Sequence, residues 1–170
     1  MTANELQRQL IKEIEYLTKD MSLKDKNGKP ADLKGYPQAI PVQNVFTAVP
    51  YDTDDSEEDG DELFPYFIVR MDTVEYQKKE ADGANQAHLM VAFAIYDDDP
   101  ELKGYFTLSA VMERVVERFQ SNTEMGQFWC SRQMSLAYQE DDTYPQFFGA
   151  IEMLWNLPDI SMELGMEELL

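Results

Sequence analysis

The chain has 170 residues, of which 33 are acidic and 14 basic, giving a formal charge of −19. That balance argues against specific nucleic-acid binding, because affinity for DNA or RNA comes mainly from lysine and arginine neutralising phosphates, and it equally disfavours anionic membranes. Cys130 is the only cysteine, so an internal disulfide is excluded, and a chain of this length can bury enough surface in one core to fold without a staple or a metal.

In chain order, Asn4 to Lys19 predicts a helix, because Leu6, Leu10, Ile14 and Leu17 recur at helical spacing with Ile11 beside them. This opening is amphipathic and charged, unlike a signal peptide. No apolar run of roughly eighteen residues follows, so no membrane span is expected. A lone thiol suits a reducing compartment, and a cytoplasmic site of synthesis is expected. Asp20 to Pro41 is rich in proline, glycine and Asn27-Gly28, and is expected to be irregular, or at most a short element between turns. Val42 to Ala48 is a candidate short strand. From Asp52 to Glu62, eight of eleven residues are acidic, and a mobile, solvated loop is expected.

Pro65 to Tyr76 is aromatic and β-branched and predicts a strand. A polar turn with Asp82-Gly83 at its middle leads into a second, His88 to Tyr96, and the two should form a hairpin. In that second strand Leu89, Val91, Phe93 and Ile95 alternate with Met90, Ala92 and Ala94, so large side chains are expected on one face and small ones on the other. Asp97-Asp98-Asp99-Pro100 reads as a helix start, with aspartate caps and proline in the first turn, an opening turn that Gly104 can break. Tyr105 to Gln120 follows as an amphipathic helix with Leu108, Val111, Met112, Val115 and Phe119 on one face. Arg114 and Glu117 are spaced to pair on its flank. Ser131 to Gln139 and Phe147 to Leu157 predict two further strands, separated by the acidic turn Glu140-Asp141-Asp142, and the chain ends in an amphipathic tail. The order favours an α+β fold, a mostly antiparallel sheet flanked by helices with an added N-terminal helix. The corresponding division is a helix over 1–19, an irregular arm and acidic loop over 20–63, a core over 64–157 and a tail over 158–170.

Chemistry is sparsely represented. His88, the only histidine, reads as a surface or packing residue, and Cys130 as a small buried hydrophobe. Phosphate-loop, nucleophile-elbow and histidine–cysteine metal spacings are all missing. A calcium loop wants glycine sixth and glutamate twelfth. Counted from Asp52 these places hold Glu57 and Leu63, and counted from Asp55 they hold Gly60 and Tyr66. Neither frame fits, so no cofactor or metal is expected, and the chain reads as non-enzymatic. Of the aromatic residues, Tyr105 and Trp155 are the leading candidates for anchoring a partner, although a purely structural role also suits Trp155. Leu169 and Leu170 are candidate interface residues at the chain end.

Five pieces taken together carry a resemblance. They are Pro65-Tyr66-Phe67-Ile68-Val69-Arg70, Ala94-Ile95-Tyr96-Asp97-Asp98, Gly104-Tyr105, Val111-Met112-Glu113-Arg114-Val115 and Tyr144-Pro145-Gln146-Phe147-Phe148-Gly149. In order and spacing, over residues 64–157, the chain resembles the tail terminator or tail-completion proteins of long-tailed bacteriophages. The resemblance implies an α+β subunit of a homo-oligomeric ring, usually hexameric, in the neck of the virion. Such a ring caps the tail tube, contacts the tail tube protein and joins it to a head–tail connector protein, and the resemblance implies no catalytic residue. The N-terminal helix and the acidic insertion lie outside the pattern. DNA passing through a ring must not be gripped, so the carboxylates of Asp52, Asp54, Asp55, Glu57, Glu58 and Asp59, and of Asp97, Asp98 and Asp99, are candidates for lining a channel. A related neck or head-completion protein, and an acidic DNA mimic that inhibits a host DNA-binding enzyme, are the alternatives.

Overall fold

A computed structural model describes residues 2–41, 63–76 and 85–159. Within them the chain runs α1 (Ala3–Thr18), β1 (Lys34–Pro37), β2 (Tyr66–Glu75), β3 (Asn85–Tyr96), α2 (Gly104–Ser121), β4 (Glu124–Met125), β5 (Phe128–Cys130), β6 (Ser135–Tyr138) and β7 (Gln146–Leu157). The fold is α+β. One curled sheet takes all seven strands in the order β1-β2-β3-β7-β5-β4, with β6 also paired to β7. Every pairing is antiparallel except that of β1 with β2. The candidate strand Val42 to Ala48, the acidic stretch Asp52 to Glu62 and the tail beyond Asp159 lie outside the described residues.

The N-terminal helix begins at a capping box. The Thr2 hydroxyl accepts from the Glu5 amide at 3.3 Å, and the Glu5 carboxylate accepts from the Thr2 amide at 3.0 Å. Leu6, Leu10 and Ile14 are buried in the same core as the sheet, so α1 packs on its own subunit. Its C-terminal end is held by the second helix: Arg114 donates to the Leu17 carbonyl at 3.2 Å and to the Asp20 carboxylate at 2.7 Å. This corrects the expected Arg114–Glu117 pairing. Arg114 lies on the flank of α2 turned toward α1, where an unpaired helix-end carbonyl offers a better acceptor than a solvated glutamate on an exposed flank.

The segment after α1 holds a short strand that composition hides. β1 runs parallel to β2, and a pair of glutamines clips it there. Gln7 on α1 donates to the Val69 carbonyl at 2.6 Å and to the Gln38 side-chain oxygen at 2.8 Å, and that oxygen also accepts from the Met71 amide at 2.6 Å. A Cβ on Gly35 would stand 2.3 Å from the Phe67 ring, so only glycine lets β1 approach this closely.

At the centre, β3 pairs with β2 on one side and with β7 on the other, the latter over twelve consecutive positions. Ala87, Leu89, Val91, Phe93 and Ile95 point into the core, while Met90 and Ala92 stay half-exposed on the other face. The expected division of large and small side chains is therefore present. Both helices cover the large face. Phe67, Phe93 and Gly149 share one row of the register, Phe67 approaches Ile11 of α1 at Gly35, and Gly149 lies against Met112 of α2. On the opposite face Ile68, Ala92, Ala150 and Ala137 form a row of mostly small residues. Phe64 closes one end of this face, its ring centroid 5.1 Å from Tyr66 and 6.1 Å from both Tyr96 and Phe148.

Candidate functional site

The turn between β3 and α2 departs from expectation in an informative way. The aspartates were expected to cap a helix opening at Pro100, yet α2 opens at Gly104 and its N-cap, Lys103, makes no side-chain cap bond. The carboxylates are engaged within the turn instead. Asp97 accepts from the Asp99 amide at 3.0 Å, and Asp99 accepts from the Glu101 amide at 2.9 Å. Lys103 reaches Glu101 at 3.0 Å. These local bonds compete with helix formation. The next residue, Leu102, has φ of 60° and is exposed, an uncommon conformation for a leucine, and it turns the chain sharply into the helix.

Gly104 then sits tight against the sheet. A Cβ there would lie 2.3 Å from the Phe147 ring and 2.9 Å from the Asp97 side chain. This close approach holds the next two residues outward. Tyr105 is 48% exposed and Phe106 is 70% exposed. Tyr105 meets Phe106 edge-on at 5.8 Å and lies tilted against Tyr138 of β6 at 5.4 Å, and the Tyr138 hydroxyl bonds Ser109 at 3.2 Å. Tyr144 is nearby and donates from its hydroxyl to the Asp98 carbonyl. Desolvation, and then the charges of Asp98 and Asp99, push the Tyr144 phenol above its ordinary pKa. The result is an exposed aromatic corner with an acidic rim. We expect Gly104→Ala to cost about 1–3 kcal/mol, read as a lower urea midpoint; a variant as stable as the wild type would mean that the helix start shifts freely.

Farther along the same helix, a groove of about 470 Å³ lies between the C-terminal half of α2 and β6, lined by Glu113, Val116, Glu117, Gln120, Ser121 and Leu136. Val116 and Leu136 are half-buried and the two glutamates are exposed, so the groove combines apolar floor with negative charge.

The other sequence candidates are scattered. Trp155 is completely buried on β7, 5.0 Å from Phe119 with the rings nearly perpendicular, so it is a core residue and not a surface anchor. Leu169, Leu170, Asp52, Asp54, Asp55, Glu57, Glu58 and Asp59 lie outside the described residues. His88 is exposed on the open sheet face, in a hollow of about 360 Å³ with Asp72, Ser131, Gln133, Ser135 and Glu152. Cys130 is buried beside Trp155 in the register, and burial pushes its thiol up to about 12. His88 and Cys130 thus stand on opposite faces of the sheet. Among the described residues no cluster of three or more histidine, cysteine, aspartate or glutamate side chains is arranged to hold a metal ion, and no helix is long and apolar enough to cross a membrane. Phe106, the most exposed large apolar side chain described, was missed from sequence. Its signal is its place on α2 away from the Leu108–Met112–Val115–Phe119 stripe, where an apolar residue has no core to enter.

Compared with known family models and with curated proteins, the sequence matches none.

Proposed function

We propose that this chain is a non-enzymatic structural subunit of the tail-terminator kind, which assembles into a ring, hexameric by the resemblance, that caps a phage tail tube and joins it to the head connector. The observation that carries the reading is the aromatic corner at Leu102, Tyr105 and Phe106. A chain with a charge of −19 that still leaves a phenylalanine 70% exposed beside a tyrosine and a leucine has a surface suited to a protein partner. The turn that presents this corner comprises the same Asp97-Asp98 and Gly104-Tyr105 pieces that carry the sequence resemblance. In this reading Asp97, Asp98 and Asp99 face the lumen, where repulsion over roughly 10 Å keeps passing DNA from adhering.

The test is to mix the purified chain with isolated tail tubes and examine the mixture by light scattering and negative-stain microscopy. Ring-sized particles and capped tube ends are expected. A monomer or dimer that leaves the tube ends bare overturns the reading.

A further inference from the structure

The two helices form one layer over the sheet, and the outer sides of that layer differ in charge. On α1 the exposed residues are Asn4, Arg8, Lys12 and Tyr16, successive turns of one stripe that Lys19 continues just past the helix, with Glu5 and Glu15 half-buried beside it. Tyr16 is 64% exposed, and the Lys19 ammonium lies 4.0 Å from the centre of its ring. On α2 the side turned away from α1 carries Phe106, Glu113 and Glu117, flanked by the groove to Leu136. The first surface is basic with an aromatic at its centre. The second is acidic with an aromatic at its end and an apolar floor.

We infer that these two surfaces are the two halves of one contact between copies of this chain, the α1 stripe of one copy seated on the α2–β6 flank of the next. The inference deepens the ring reading above and rests on it for the identity of the occupant. Charge complementarity selects a second copy, because Arg8, Lys12 and Lys19 offer positive charge opposite Glu113 and Glu117 in a protein that is otherwise strongly acidic. Tyr16 supplies the side chain for the apolar floor at Val116 and Leu136, and Phe106 is covered in the same contact.

Two different surfaces are involved, on two packed helices. α1 packs on β1 and β2, and α2 packs on β3 and β7, with Arg118–Glu13 and Arg114–Asp20 bridging the two helices between them. The stripe and the flank therefore sit on two helices fixed side by side. One chain cannot close them on itself. The two surfaces can meet reciprocally across a two-fold axis or head-to-tail, and only head-to-tail addition continues from copy to copy and closes into a ring when the rotation allows, the arrangement that the ring reading selects.

Two charge reversals test this in the full-length chain. One variant carries Arg8→Glu, Lys12→Glu and Lys19→Glu, and the other carries Glu113→Lys and Glu117→Lys. All five residues are exposed, and thermal melts verify that both variants fold. Sedimentation velocity is expected to show self-association weakened about 100-fold or more in each, as like charges are brought together. Mixed in equal amounts, the two variants are complementary at both junctions, intact stripe on intact flank and reversed stripe on reversed flank, so assembly by strict alternation of the two is expected. A chain carrying both reversals should regain wild-type assembly. Unchanged assembly in the two variants, or an equal mixture that stays monomeric, overturns the contact and leaves the ring reading standing. A wild-type chain that is monomeric at every concentration and leaves tail tubes bare overturns both.

Discussion

Trp155→Ala should be the most destabilising single truncation in the described core, costing about 3–5 kcal/mol. Trp155 is the largest fully buried side chain, and it stands at a crossing of elements. Its ring meets Phe119 of α2 edge-on at 5.0 Å, and its strand partners are Ala87 on β3 and Cys130 on β5. Removing the indole empties the space between helix and sheet, and its small neighbours Ala87 and Cys130 cannot refill it. Since whole domains are stable by only about 5–15 kcal/mol, this loss takes a large share. Urea denaturation should show a much lower midpoint with an unchanged slope. One feature tempers the loss in a different variant: the indole nitrogen is buried without a hydrogen-bond partner among the described groups. Trp155→Phe removes that unpaired donor along with part of the ring, so it should cost clearly less than the alanine change. Equal losses in the two variants would refute this account.

Arg118→Ala is expected to cost about 2–3 kcal/mol, more than the same change at Arg114. The guanidinium of Arg118 donates to Glu13 on α1 at 2.8 Å, to the Asn122 carbonyl at 2.6 Å and to the Glu124 carbonyl at 3.1 Å. It also lies 4.8 Å from the Phe119 ring. One side chain thus joins both helices, closes the C-terminal end of α2 and fixes the entry to β4. Arg114 makes only two contacts, and its partner Asp20 is 70% exposed, so solvent screens that pair more strongly. Lysine at position 118 should not restore stability, because an ammonium cannot serve three acceptors spread across a planar fork. Thermal melts of the three variants read the order directly, and a loss at Arg114 as large as that at Arg118 would contradict it.

How much of this was legible in the sequence depended on the length of each pattern. Leu6, Leu10 and Ile14, and Leu108 through Phe119, repeat over several turns, and both helices fall within a few residues of their expected ends. β3 was likewise evident from alternation over nine residues, β2 from its aromatic and β-branched run, and β7 as an apolar stretch that ends before Pro158. β1, β4 and β5 were not, since two to four residues cannot display a period. Their existence follows from tertiary facts: the Gln7–Gln38 clip and the absent Cβ of Gly35 make β1, and Gly126 with φ of 62° makes the turn that pairs β4 with β5. The aspartate turn was misread because its carboxylates have two local uses, and only the strained Leu102 and the tight packing of Gly104 on Phe147 select the turn over the cap. At the surface, Tyr105 was found from sequence but its partner Phe106 was not, and of the two roles offered for Trp155, surface anchor and structural residue, only the structural one holds. Aromatic content shows how much ring area a chain carries, while helical phase and strand register decide which rings face water.

The twelve-position ladder between β3 and β7 has a mechanical consequence. At about 3.4 Å per residue, it spans about 40 Å with no break in pairing. At one end the Asp97 amide continues it by bonding the Pro145 carbonyl at 2.9 Å, directly under the aromatic corner. At the other end it stops at Asn85 and Leu157, and α2 braces it along one side. Two such strands slide past each other only if every hydrogen bond between them breaks together. The ladder therefore acts as a strut: it keeps the two ends of the molecule at a fixed separation, and a push on the corner is delivered to the far end with little bending on the way.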